Sequence, residues 1–326
     1  MSARELDAAG IHDPTLRASY ERCRRLNATH GRTYYLATLL LPPAKRPYVH
    51  ALYGFARYAD DIVDALPAAP AGSGSRADPD DPAGKGRRLA ALRTHFLTDL
   101  RAGSSSHPVA RAVVHTARTW DIPDEHFVAF LDSMRMDLTV TEYPTYADLR
   151  GYVHGSAAVI GIQLVPILEP LDGAESAAYG PAQDLGIAFQ LANFVRDVGE
   201  DLDRGRVYLP LEDLERFGLT RADLERRQVD DRVRALLAFE AARVRGLSRS
   251  AGRGIPLLHP SSRPCIQAAQ ELYCGIVDEV ERIDYQVFTR RARTSTLRRA
   301  RVAGPAYLRA VRARRRGVPA RAPAAH

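Results

Sequence analysis

Apolar positions recur every three to four residues through most of this chain, and strict alternation is almost absent. With Ala, Leu and Arg abundant, the pattern predicts helices over about residues 14–30, 44–66, 86–102, 108–120, 123–141, 145–168, 174–203, 231–252 and 263–289. Pro14, Pro123 and Pro264 each stand near a predicted helix start, where a missing N–H is harmless. No repeat with a period of roughly 20 to 50 residues is visible. One segment breaks the pattern. "PAAPAGSGSRADPDDPAGKG", from Pro67 to Gly86, is rich in Pro, Gly, Ala and Asp and reads as a flexible surface loop. Helices of the same style continue on both sides, so the loop is expected within one domain. The expectation is an all-α chain with a single domain over residues 1–290 and a tail over 291–326.

Two of the predicted helices carry carboxylates where a core face is expected. In "LYGFARYADDIVDAL", taking about 100° per residue with Val49 at zero puts Asp60 near 20°, Tyr53 near 40° and Asp64 near 60°. Asp60 and Asp64 share a stripe with Val49, Tyr53 and Ala56, while Asp61 lies further round at about 120°. In "LGIAFQLANFVRDVGEDLDRGRVYLP", Asn193, Asp197 and Asp201 follow at i, i+4 and i+8 along the border of the stripe formed by Ile187, Leu191, Phe194, Val198 and Leu202. Gln190 lies among them. The first group alone could be a solvated acidic surface; the second is a polar ledge beside a core face, as expected of a helix lining a cavity. As a pair, they read as polar ledges that could face each other across a helical bundle.

Two carboxylates one helical turn apart repel when both are charged, and a divalent cation removes that cost. Oxygen donors suit Mg²⁺, with Mn²⁺ as an alternative. Mg²⁺ binds few protein groups and keeps waters and phosphates, so the implied ligand is a diphosphate or polyphosphate. Arg57, Arg196, Arg204 and Arg206 are available to neutralise phosphate charge. Neither GxxxxGK[ST] nor GxGxxG is present, which disfavours a nucleotide enzyme.

With these motifs, the chain resembles the squalene/phytoene synthase family of head-to-head prenyl synthases. "HGRTYYLATLLLPPAKR", "ALYGFARYADDIVD", "MDLTVTEYPTYADLRGYVHGSAAVIG", "QLANFVRDVGEDLDRGRVYLP" and "ELYCGIVDEVERIDY" follow in the family's order, from about His30 to about Arg290. The resemblance implies an isoprenoid-synthase helical bundle around a central cavity and two prenyl diphosphate molecules as substrates. It implies Asp60, Asp64, Asn193, Asp197 and Asp201 as Mg²⁺ ligands. His30, Tyr53, Arg57, Arg196, Arg206 and Tyr208 would line the diphosphate site. Tyr34, Tyr152, Gln190 and Tyr273 would face the reacting carbons or the second site. The small residues Gly155, Ser156, Ala157, Ala158 and Gly161 would either let prenyl chains pass or allow close helix packing. "HGRTYYLATLLLPPAKRPYVHALYGFARYADDIVD" looks more like bacterial phytoene synthases than hopanoid-pathway squalene enzymes. The expected reaction is therefore phytoene formation from geranylgeranyl diphosphate, without NADPH. Use of farnesyl diphosphate to make squalene, dehydrosqualene or presqualene diphosphate is the alternative.

Charge adds one qualification. The formal net charge is +7, but the stretch from Arg290 onward holds twelve arginines and no acidic residue. The body carries 34 basic against 39 acidic residues, so any attraction to nucleic acid or anionic lipid concerns the tail. Two readings of the tail are open, a disordered solvated end (as expected for "RARRRGVPARAPAAH") and weak attraction to anionic lipid. Nucleic acid is not expected as a partner, and a non-catalytic scaffold would be expected to have lost the metal ligands. The charged N-terminus is unlike a signal peptide, no apolar run reaches about 18 residues, and Cys23, Cys265 and Cys274 form no metal-ligand spacing. A cytoplasmic protein, peripheral to the membrane if the tail binds lipid, is the expectation.

Overall fold

The structure, a computed structural model, describes residues 3–64 and 82–315. Among these residues there is no β-strand; two isolated bridges are the sole extended pairing. The all-α expectation holds. Residues 3–35, 43–64 and 82–139 form one compact unit, and residues 36–42 and 140–315 another.

The first unit contains α1 (Ala3–Ala8), α2 (Pro14–His30), the start of α3 (Arg32–Thr38), α4 (Arg46–Asp64), α5 (Pro82–Ala102), α6 (Pro108–Thr119) and α7 (Asp124–Met136). Asp13 caps α2, its Oδ1 accepting the Leu16 N–H at 2.7 Å, and Pro14 fills the first turn. Buried Tyr48, Ala51, Leu52, Phe55, Ala59 and Val63 form the inner face of α4. Phe55 packs on Phe96 with centroids 4.2 Å apart, and Phe127 and Phe130 complete that core. The loop expected over residues 67–86 is shorter at its far end, because residues 82–86 already belong to α5. The rest of that loop lies outside the described residues.

In the second unit are α8 (Tyr146–Val153), a π turn (His154–Ala158), α9 (Val159–Leu168), α10 (Glu175–Asp203), α11 (Leu211–Arg216), α12 (Arg221–Glu225), α13 (Asp231–Gly252), α14 (Arg263–Cys274), α15 (Ile276–Arg282) and α16 (Thr296–Arg315). Thr145 and Asp148 form a reciprocal capping box that starts α8. The apolar side of α10, including Ile187, Leu191, Phe194, Val195 and Val198, is buried. Against it, α9 and the π turn approach to backbone contact. A Cβ on Gly161 would stand 2.3 Å from the Ala182 carbonyl oxygen, and one on Gly186 would stand 2.4 Å from that of Ala157. Close helix packing therefore accounts for Gly161.

The stretch Tyr146–Leu168 is long and apolar enough to cross a bilayer by length and composition, although 56% of an 18-residue apolar window within it is buried inside the protein. Residues 312–315, expected within a disordered end, continue α16. That helix turns Val302, Ala306 and Ala310 inward, all fully or nearly buried. The remainder, 316–326, lies outside the described residues.

Candidate active site

In the first unit the α2–α3 corner meets α4. Gly31, between those two helices, leaves room for the Tyr53 ring, since a Cβ there would stand 2.5 Å from Tyr53 Cζ. Tyr34 and Tyr53 lie with ring centroids 5.9 Å apart. Burial raises the Tyr53 hydroxyl to about 12, so it stays protonated and able to donate. One turn on, Arg57 joins Asp60 at 2.8 Å and Asp61 at 2.5 Å. Asp61, off the stripe in the sequence reading, thus shares a guanidinium with Asp60. His30 is the exposed last residue of α2. Asp64 ends α4, and its side chain lies outside the described residues.

The second unit gathers the remaining candidates on and around α10. Asp197 is clasped by two guanidinium groups. Arg196 donates to both its carboxylate oxygens, and Arg291 does so at 3.1 Å each while also reaching Glu200 at 3.2 Å. Burial opposes the Arg196 charge, but its bonds to Asp197 outweigh that and raise its pKa. Asp201 is different. Burial first, and the Asp197 charge second, push its carboxyl up to about 7 despite Arg204 and Arg206. Gln190 and Asn193 sit half-buried on the same helix.

A buried aromatic cluster packs on the apolar side of α10, at Phe194. Backbone bonds from Val207 N to Thr141 O (2.7 Å) and from Leu211 N to Tyr143 O (2.9 Å) tie the chain after α10 to the chain before α8. Tyr208 thereby stacks on Phe194, centroids 4.1 Å apart and planes within 5°, with Tyr152 at 5.7 Å and Tyr143 at 6.1 Å. Arg206 donates to the Tyr208 hydroxyl at 3.4 Å. Tyr273, on α14, packs against Phe189 at 4.8 Å and feels the Arg196 charge.

Sequence reasoning missed Arg291, Tyr143 and Phe194. Arg291 lies 94 residues from Asp197, at the start of the arginine-rich tail, and Phe194 belongs to the apolar stripe of α10. No local spacing marks either contact. Among the described residues no group of three or more His, Cys, Asp or Glu side chains forms a ready metal cage. Mg²⁺ does not require one, since one or two carboxylates with waters and substrate phosphates suffice. The donor set fits such an ion: Asp197 and Asp201 put carboxylate oxygens one turn apart on α10, and a bound cation would offset the burial and the Asp197 charge that raise the Asp201 carboxyl to about 7.

An all-helical chain carrying arginine-backed oxygen ledges is an isoprenoid-synthase type of protein, and solved structures agree. It superimposes on a dehydrosqualene synthase with TM-score 0.78 and 26% identity, over 89% of this chain and 96% of that one. A squalene synthase from Alicyclobacillus acidocaldarius gives 0.72 and 29%, over 85% and 98%. The model of the squalene/phytoene synthase family matches residues 27–298, and the chain belongs to that family. Among its relatives, the 15-cis-phytoene synthase of Synechocystis sp. is 36% identical over 301 residues, covering 90% of this chain and 85% of that protein. The phytoene synthase of Arthrospira platensis is 35% identical, covering 90% and 93%.

Proposed function

We propose that this protein is a Mg²⁺-dependent phytoene synthase. It joins two geranylgeranyl diphosphate molecules head to head through a cyclopropyl diphosphate, the first step of carotenoid biosynthesis. The observation that carries this reading is the 36% identity to a 15-cis-phytoene synthase along 90% of the chain, which spans both ledges. Asp60, Asp64, Asn193, Asp197 and Asp201 would hold Mg²⁺, with Mn²⁺ as a substitute. When bound, the cation supplies Lewis-acid stabilisation of the departing diphosphate.

The chain's own residues do the rest. Arg57, Arg196 and Arg206 offer preorganised charge to diphosphate oxygens, worth most where water is excluded. Tyr53 and His30 add hydrogen bonds. Tyr152, Tyr208 and Phe194, buried and stacked on one another, would form a water-poor aromatic wall beside an allylic cation. Tyr34, Gln190 and Tyr273 would flank the reacting carbons. Proton loss rather than reduction by NADPH would end the reaction. The protein is cytoplasmic and touches the membrane peripherally, where its substrates and product partition.

A second reading has its own support. Both solved structures above are squalene-type enzymes, which favours farnesyl diphosphate as substrate. Incubation with Mg²⁺ and either diphosphate, with and without NADPH, separates the two. Phytoene from geranylgeranyl diphosphate without NADPH is expected. Preferential turnover of farnesyl diphosphate would replace the main reading with the second, and no hydrocarbon from either would end both.

A further inference from the structure

The C-terminal helix α16 has an outer face unlike the rest of the surface. Of the six large apolar side chains exposed among the described residues, the three most exposed, Leu297 (69%), Tyr307 (57%) and Leu308 (57%), lie on it; Leu36, Leu171 and Tyr179 lie elsewhere. With buried Val302 at zero, Ala306 and Ala310 fall at about 40° and 80°, against the protein. The opposite arc, from about 140° to 240°, carries Tyr307, Ala300, Val311, Gly304, Leu297 and Leu308. Arg315 lies within that arc at about 220°, and Arg301 and Arg312 follow at about 260° and 280°. No acidic residue occurs on the helix or anywhere after Arg290.

The helix cannot roll to hide this arc. Arg298 donates to the Gly275 carbonyl and bonds Asp278 and Glu279 at 2.8 and 2.9 Å. At the other end Arg314 donates to the carbonyls of Leu40 and Leu41 at 2.6 and 2.9 Å. That contact also fixes the segment bearing Leu36, itself 47% exposed. Beyond the arginine arc, Arg309 lines a groove of about 630 Å³ together with Arg249 of α13, in a lining that also holds Glu271 and Asp278. Neither of those two guanidinium groups has an ion pair or hydrogen bond among the described residues.

We propose that α16 docks the protein on anionic phospholipid, its apolar arc entering the acyl boundary and its arginines meeting the headgroups. A fixed helix with an apolar arc flanked by cations and lacking anions has the form of an interfacial helix. Charge complementarity commits the face to lipid. In a symmetric dimer the arginine arcs would oppose each other, and nucleic acid would leave Leu297 and Leu308 unused. The inference gives a place to the membrane contact proposed above but does not depend on the reaction, and its test contains no substrate.

The test is flotation of the full chain with vesicles of phosphatidylcholine alone or with one-third phosphatidylglycerol, alongside Tyr307→Trp emission. Recovery with anionic vesicles should exceed that with neutral ones by about tenfold or more. Arg301→Glu with Arg312→Glu should abolish it, and Leu297→Ser with Leu308→Ser should lower it by about tenfold. Circular dichroism should stay unchanged in both variants. Tryptophan at 307 should shift to the blue only with anionic vesicles. Equal recovery with both vesicles, no recovery, or recovery of the folded variants at the wild-type level would overturn the proposal. So would oligonucleotide binding or self-association that depends on the arginines but not on Leu297 and Leu308.

Discussion

Asp201 is the side chain whose environment most strongly separates its two protonation states on the candidate ledge. In the folded chain without a cation it titrates at about 7, against 3.8 for an ordinary aspartate. That difference corresponds to at most about 4 kcal/mol. The folded state binds the extra proton, so this part of the stability is present below about pH 4 and is lost as pH rises through about 7. Asp201→Asn removes the titration. With chelator present, the variant should gain up to about 4 kcal/mol over wild type at pH 8 and close to nothing at pH 4. Urea unfolding followed by circular dichroism measures both differences, and titrating groups that do not interact with Asp201 cancel between the two proteins. Mg²⁺ should stabilise wild type more at pH 8 than at pH 6, because the carboxyl must lose its proton to bind, and should stabilise the variant less. A gain at pH 8 no larger than at pH 4 would refute the reasoning.

Three further outcomes are expected. Asp60→Asn and Asp197→Asn should each abolish product formation while leaving the helical circular-dichroism signal largely intact; unfolding of both would mean those carboxylates are structural. His50 is buried, pairs with Asn27 at 3.0 Å and is driven by burial down to about 3, so it folds neutral. Its contribution is lost as pH falls from about 6.5 towards 3, and His50→Gln should flatten the acid limb of a stability profile over that window. Gly161→Ala would set a methyl against the Ala182 carbonyl and should cost about 1–3 kcal/mol in chemical denaturation; an unchanged midpoint would show that α9 can move away.

The periodicity of the chain was enough to determine its helices, because an amphipathic stripe, a cap and a proline act within a few residues. Asp231–Gly252 is read to the residue, and Pro14–His30 likewise. Both ledges were legible for the same reason: residues four apart share a helix face wherever that helix goes. Tertiary structure alone decided their partners. Arg291 reaches Asp197 only because the chain after α15 returns to α10, and Tyr208 stacks on Phe194 only because Val207 bonds to Thr141. The arginine-rich end had no acidic or strongly periodic pattern to mark a helix. It folds because Val302, Ala306 and Ala310 find a buried seat and because Arg298 and Arg314 find oxygens to bond at its two ends. Local sequence sets which side chains share a face, whereas burial, charge pairing and the shift at Asp201 depend on what the rest of the chain places against that face.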